Sequence, residues 1–522
     1  MAPSSDSAAS SDVRPSASRA STSASAAARG GIPAAVWVLG LMMLATVLVF
    51  CGGVVGLVVW AEAEPDPAQR KLTEIIENSG GNCDTETDAP HWMTELFSGA
   101  ELERYQRVYA VQFYNREVSD EALAAVGSLR SVRQVGLSDC TLDAAALVHL
   151  THLPRLSELD LYGTNVTDAG LTFLGEINTL ETLDLEETEV TDAGMVELRG
   201  LKELKTLWLT DTQVGDAGLE PLGRLYHLEK IYLDGTQVTD KSLKHLARLR
   251  RLATLDLGRT RITGPGLARL RGLTRLVSVN LSDTPTNDAW LGEPLARWRK
   301  LESLNLDRTQ VRGPALKPLA QFGHLTALSL AGTPLDDQGL KHLASLTSLM
   351  SLHLDETAIG DAGLRNLSAL SRLVRLSLNR TRITDAGLAS LEGLKNLTDL
   401  SLDETAVTDA GLAHVAKLTR LQFLSLDKTP LSGEGLKRLA KLDDLADLSL
   451  ADTSIDDESL RSLAELTNLS RLNLYHTPVT DGAIRYLNQL PELSWVHLGE
   501  TKVSKKAAAW LERTHRGITI ER

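Results

Sequence analysis

A threonine returns every 24 residues through most of this chain, from Thr164 to Thr501, with a single step of 25 between Thr284 and Thr309. Carried backwards, the same step lands on Cys140 and Arg116, each preceded by an apolar-x-apolar pair, Val135/Leu137 and Val111/Phe113, which makes 17 units. A beat this strict leaves few choices. Each unit is too short to bury its own apolar residues, so identical units must stack and share one continuous core, and the expected architecture is a solenoid.

The unit Leu180 to Glu203 shows what each copy does. Leu183 and Leu185 alternate with Thr182, Asp184 and Glu186, the period of a short half-buried strand. After Thr188 the spacing changes: Val190, Met195, Leu198 and Leu201 recur at helical intervals, so a short helix with one apolar face follows. Asp192 suits an N-cap of that helix, and Asp fills this slot in 12 of the 17 units. Gly264-Pro265 and Gly313-Pro314 replace it with a permissive cap followed by proline at the first helical position. The glycines at a fixed slot beside the cap serve backbone clearance. Stacking places parallel strands on one side and the wider helices on the other, which bends the stack into a horseshoe of α/β class, strands on the concave face.

These residues, L-x-x-L-x-L-x-x-T-x-V-T-D-A-G-L, resemble the leucine-rich repeat family, and more closely its cysteine-containing subclass seen in F-box proteins, with Cys140 in the cysteine slot. The resemblance covers Tyr109 to Arg522. It implies a binding role of unspecified partner, because repeats of this kind serve many functions.

The remaining chain divides by composition. Residues 1–31 are Ser/Ala-rich and read as a disordered tail. Residues 32–61 lack any charge, and Val36 to Trp60 is long enough to span a bilayer, bracketed by Trp37 and Trp60. Arg29 before it and Glu62, Glu64 and Asp66 after it put the tail in the cytoplasm and the repeats outside. A cleaved signal peptide at Ala61-Glu62-Ala63 is the rival reading, and it also exports the repeats. Residues 62–108 form a linker and N-terminal cap: a short helix at Lys71–Glu77, a polar loop at Gly80-Gly81-Asn82-Cys83, and a Trp92-bearing segment. This order resembles the cap of membrane-anchored repeat proteins from planctomycete-type bacteria. The repeats occupy 109–506, and 507–522 closes the other end with a helix and a strand.

Catalytic signatures are absent from the sequence: no Gly-x-Ser-x-Gly elbow, no Walker loop, no His-Glu-x-x-His. No enzyme activity and no cofactor are expected. A net charge of −14 disfavours nucleic acid and favours a cationic partner. Cys83 and Cys140 could pair in an exported protein, but Cys140 points into the repeat core and is expected to be buried and free.

Function is sought on the concave face. The positions four and two before each landmark hold nine acids, among them Asp160, Asp184, Glu186 and Asp234, and no Lys or Arg. Short polar side chains also suit a crowded curved sheet, so this bias carries two readings, packing and an electronegative groove. Trp208 and Tyr232 share a column there, with Tyr114 and Tyr162 nearby, as anchors of an interface do. The predicted partner site is Tyr114, Asp160, Tyr162, Asp184, Glu186, Trp208, Tyr232 and Asp234. Neighbouring aspartates would repel, and a cation such as calcium would relieve this, though nothing fixes a full oxygen shell. A second aromatic group, Phe423, Tyr475, His476, Trp495 and His497, lies near the C-terminal end. In the 25-residue unit, Trp290, Pro294 and Trp298 predict a kinked or widened convex loop, with a second, convex binding spot as the alternative. The expected function is a membrane-anchored scaffold that captures a protein or peptide. Alternatives are an intracellular F-box-like adaptor and a structural envelope protein packing through its repeats.

Overall fold

The computed structural model describes residues 67–89, 105–515 and 517–522. They belong to one compact unit, Pro65–Arg522. The expected tail 1–31, the apolar segment 32–61 and the stretch Pro90 to Phe97 lie outside the described residues. Among the described residues no helix is long and apolar enough to cross a membrane.

A 19-stranded sheet runs through the unit. From Gln106–Gln112 onward each strand pairs in parallel with the strand of the next unit, as Thr182–Asp184 does with Thr206–Trp208 and that with Lys230–Tyr232. The register never slips: Leu183, Leu207, Ile231 and Leu255 stand side by side, all buried. A one-residue slip would turn that row to solvent, so the apolar row itself fixes the register. The predicted helices are real but short. Most are single α or 3-10 turns, such as Asp385–Leu388 continued by Ala389–Leu391.

Both ends are closed. The helix Pro67–Asn78 buries Ile76, and the stretch expected to be a polar loop is instead the strand Asn82–Thr87, antiparallel to Gln106–Gln112. Its alternating Asn-Cys-Asp-Thr-Glu-Thr has strand periodicity despite its polarity, and it covers the open sheet edge. At the other end the helix Lys505–Thr514 precedes the strand Thr519–Glu521, which pairs in parallel with Trp495–His497. Cys83 and Cys140 are both free, and Cys140 is buried.

The landmark residue is buried because its polar atom is satisfied locally. Thr188 Oγ1 donates to Leu185 O at 2.6 Å, and the same bond recurs at Thr212, Thr236 and Thr260. Cys140 makes a weaker version, Sγ to Ser138 O at 3.5 Å. The residue before the landmark is left-handed in every described unit. Fourteen of these are not glycine, from Asn115 at φ 49° to Glu500 at φ 55°. A left-handed non-glycine residue costs about 1–2 kcal/mol, so the turn is strained and its neighbours must hold it.

The repeated aspartate does not cap its own helix. Where the aspartate is the first helical residue the cap lies one residue earlier, as where Thr384 accepts from Ala386 N; elsewhere the helix begins later, as at Gly194 after Asp192. The aspartate reaches across to the following unit. Asp385 accepts from Thr408 N at 2.8 Å and Thr408 Oγ1 at 2.6 Å, and Asp168, Asp216 and Asp361 hold Thr191, Thr239 and Thr384 in the same way. Asp192 accepts from Gly215 N and Gly218 N instead. A carboxylate at the first helical position points along the stack, where the next helix start presents unpaired N–H groups. The fixed glycine clears its path: a Cβ on Gly387 would stand 2.3 Å from Asp361 Oδ1.

Two expectations for irregular units are refined. Gly313 is a left-handed cap at φ 130°, but Gly264 is a first helical residue behind the cap Thr263. The 25-residue unit takes up its extra residue as a longer helix, Asp288–Leu295, with Pro294 inside it and buried. Trp298 below is fully buried and donates Nε1 to Leu270 O at 3.3 Å.

Concave aspartates staple strands in two ways. In the first half an Asx four before the landmark accepts from its own strand two residues on, as Asp160 does from Tyr162 N and Asp256 from Gly258 N. From Asp307 onward the aspartate two before the landmark reaches the next unit. Asp403 accepts from Ser425 Oγ and Asp427 N, and Asp427 from Ser449 Oγ and Ala451 N.

The two ladders titrate in opposite senses. Burial is the chief cause that raises Asp184, Asp256, Asp403 and Asp427 above the ordinary carboxylate range, Asp184 to about 6. Asp481, bonded by the Ser504 amide and hydroxyl, lies below that range. Burial pushes Asp216 and Asp409 upward, but bonds from Thr239 and Ser432 outweigh it and leave them below. A raised carboxylate opposes folding while ionised, so stability grows as pH falls through about 6 toward the unfolded value of 3.8. A depressed one stabilises above 3.8 and loses this as pH falls through its folded value. Thermal unfolding should therefore peak in the mildly acidic range between these limits, and a midpoint that only falls from pH 7 to 3 would contradict the assignment. Separately, Asp385→Ala should cost about 1–3 kcal/mol locally. Hydrogen exchange at the Thr408 amide should then quicken roughly ten- to hundred-fold, with distant units unchanged.

Candidate functional site

The column four before the landmark runs, strand by strand, Gln112, Gly136, Asp160, Asp184, Trp208, Tyr232, Asp256. Trp208 and Tyr232 stack face to face, ring centroids 5.3 Å apart and planes 3° from parallel. The spacing follows from the ladder, since neighbouring strands lie about 4.8 Å apart. Such offset stacks add roughly 0.5–1.5 kcal/mol beyond burial. On the Asp184 side of Trp208 the column falls away to short side chains. Gly136, Asp160 and Asp184 leave a depression of about 460 Å³ that Tyr114 and Trp208 also line. Tyr114 is 65% exposed.

The predicted residues separate into two groups. Tyr114, Asp160, Asp184 and Trp208 line this depression, with Tyr232 backing the tryptophan. Tyr162, Glu186 and Asp234 stand two before the landmark, toward the rim. Tyr162 Oη donates to Glu187 Oε1 at 2.9 Å. Asp234 is taken up by Arg259, whose Nε donates to Asp234 Oδ2 at 2.7 Å. Arg259 also forks onto Asp211, two units away, at 2.9 and 2.7 Å. It crosses Gly235 to do so: a Cβ there would lie 2.1 Å from Asp211 Oδ1.

This corrects the picture of a uniformly acidic face. The two columns read from the sequence do lack cations, but the columns beside them do not. Lys230, Arg375 and Arg471 stand six before the landmark, and Arg259, Arg308, Arg380 and Lys428 one before it. Arg380 bridges Glu356 and Glu404 at 2.7 and 3.0 Å, and Lys428 meets Glu404 at 3.2 Å. Aspartates 307, 355, 403 and 427 are bonded to the next strand. Among the described residues Asp184 and Glu186 are the least engaged of the acids in these two columns: Asp184 accepts one donor, whereas Asp256, Asp307, Asp355, Asp403 and Asp427 each take two donors on one oxygen and leave the other open. Asp184 Oδ1 accepts only from Glu186 N at 2.9 Å, and its other oxygen has no protein partner among the described residues. Burial first, then the charges of Glu186 and Asp160, raise Asp184 to about 6.

Sequence reading missed Gly136, Glu158 and Arg259. Gly136 was legible as the one glycine in its column; Arg259 was not, because its reach depends on an absent side chain at Gly235. Among the described residues no group of three or more His, Cys, Asp or Glu is placed to hold a metal ion. The C-terminal aromatic group does assemble, with Tyr475 and His497 rings 5.0 Å apart, Trp495 and His497 5.9 Å apart, and Arg471 4.8 Å over Trp495. Phe423 stands two strands away from Arg471 in the same column.

Among known proteins the repeats find clear counterparts. Residues 111–364 match the family model described as a leucine-rich repeat region. An internalin, InlF, from Listeria monocytogenes is 24% identical over 62% of this chain and 87% of its own, with a TM-score of 0.51. TLR13 in its ssRNA13 complex is 19% identical over 76% of this chain and 60% of its own, TM-score 0.52. A leucine-rich repeat protein of Leptospira interrogans is 19% identical over 76% and 92%, TM-score 0.49. No curated protein matches the chain. At these identities the likeness speaks for fold alone. Residues 111–364 are thus a leucine-rich repeat region, and the parallel ladder and repeated turns carry the same fold on to the last strand, Thr519–Glu521.

Proposed function

We propose that this protein is a membrane-tethered binding scaffold, its repeats held outside the cytoplasm to capture a cationic protein or peptide on the first half of the concave face. The observation that carries the reading is the Trp208/Tyr232 stack, set between Asp184 and Asp256 in one ladder. A rigid aromatic pair supplies contact area at low entropic cost, and half-buried carboxylates beside it favour positive charge. The tether rests on Val36 to Trp60 and on the charge asymmetry around it. The likeness to cysteine-containing repeats rests on Cys140, and that to planctomycete-type anchored proteins on the order of the cap. TLR13 was solved with an RNA; a chain of net charge −14 with an open carboxylate beside its aromatics is poorly suited to a polyanion.

Trp208→Ala with Tyr232→Ala should abolish partner capture in a pull-down while leaving the circular dichroism of the repeats unchanged; capture that survives places the site elsewhere. Because Asp184 loses its charge below about 6, capture should weaken between pH 7.5 and 5, and Asp184→Asn should flatten that dependence. Protease added to intact cells should cut the repeats and spare the tail, whereas protected repeats would favour the intracellular adaptor.

A further inference from the structure

We infer that the depression between Tyr114 and Trp208 is a socket for a single arginine side chain of the partner. This rests on the binding role proposed above and assigns its chemistry.

One face of Trp208 is covered by Tyr232; the other looks along the ladder over Asp184, where the next rung is empty of any ring. That rung lies about one strand spacing, roughly 4.8 Å, from the indole, inside the distance of about 6 Å at which a cation gains from an aromatic face. A planar guanidinium placed there continues the stack as its third layer. Beneath it lies the Asp184 carboxylate, which among the described residues takes a single donor, Glu186 N. None of the residues lining the depression is basic, and Glu158 adds a further carboxylate at its edge. The Gly136 floor gives the side chain its room: a Cβ there would touch Gln112 at an ordinary 3.5 Å, so nothing but space is kept by the glycine.

Arginine fits better than lysine for a geometric reason. Its flat fork stacks and donates in the same plane, whereas an ammonium is a compact, strongly hydrated point charge that does neither. A metal ion fits less well, since the available oxygens do not approach a coordination shell.

The test uses the full-length chain in detergent micelles and three probes, Ac-Gly-Arg-Gly-NH2 and its lysine and citrulline counterparts, with affinity read by calorimetry. The arginine probe should bind at roughly millimolar Kd or tighter, as a single side chain can. Citrulline, of the same shape without the charge, should bind about ten-fold more weakly or worse, and lysine several-fold more weakly. Gly136→Leu should block the socket, and the isosteric Asp184→Asn should weaken arginine by about ten-fold, so a misfolded leucine variant does not decide the outcome alone. Equal binding of arginine and citrulline, equal binding of arginine and lysine, or arginine binding that survives both substitutions overturns the assignment. Partner capture lost in the Trp208→Ala, Tyr232→Ala variant yet kept in Gly136→Leu and Asp184→Asn rejects the socket and leaves the binding role standing. Capture kept in all of them rejects both.

Discussion

The bond on which the rest of this structure depends is the one a carboxylate makes to the turn after its own. Leucines explain why units pile up, but apolar contact is non-directional and would tolerate sliding or rotation. Where the slot holds aspartate, most accept from the groups that open the following helix, amide and hydroxyl as Asp385 does from Thr408, or amides alone as Asp192 does from Gly215 and Gly218. It is a cap supplied by a neighbour. A unit that follows such an aspartate therefore lacks part of its own helix start until the previous unit is in place, which couples stacking to local folding along the array.

Strain is handled by the same lateral logic. Every described unit bends out of its strand through a left-handed residue, and in fourteen units that residue carries a side chain. Asp, Glu, Arg and Lys dominate the slot, and the repeat brings them into one row along the rim. Charges of opposite sign meet there, Glu356 with Arg380 and Arg380 with Glu404. Individually such exposed pairs contribute about 0–1 kcal/mol, too little to offset the turn each occupies. The turn is held chiefly by the buried landmark hydroxyl and the ladder bonds beside it, and the rim charges set the electrostatics of the groove.

How much of this was legible in the sequence follows from periodicity. Strand, helix and register were readable because each depends on apolar spacing inside one unit, and spacing repeats. The aspartate's role was misread because a cap and a clamp place the same residue at the same position; only the direction of its side chain tells them apart. The polar strand Asn82–Thr87 was missed because no apolar residues mark it, its placement being set by the sheet edge it covers. For the site, the aromatic pair and its acidic neighbours could be found by aligning columns four and two before the landmark. The loss of Asp234 to Arg259 could not, because it involves a third column and a glycine between them.

Departures from the repeat carry the functional argument. Elsewhere the column four before the landmark holds mainly Ser, Asn or Asp, whose oxygens and amides staple the strands, as Asn280 does to Asp256 at 2.9 Å. At Trp208 and Tyr232 that stapling is given up for stacking, and at Gly136 it is given up for nothing within the fold. A solenoid gains no stability from a bare rung at Gly136, or from a half-buried indole whose uncovered face looks over Asp184. Where local rules are broken without a structural return, the return is sought in binding. Two aspartate rungs separate Gly136 from Trp208, but all four line one depression, and its shape and charge suit a flat cation.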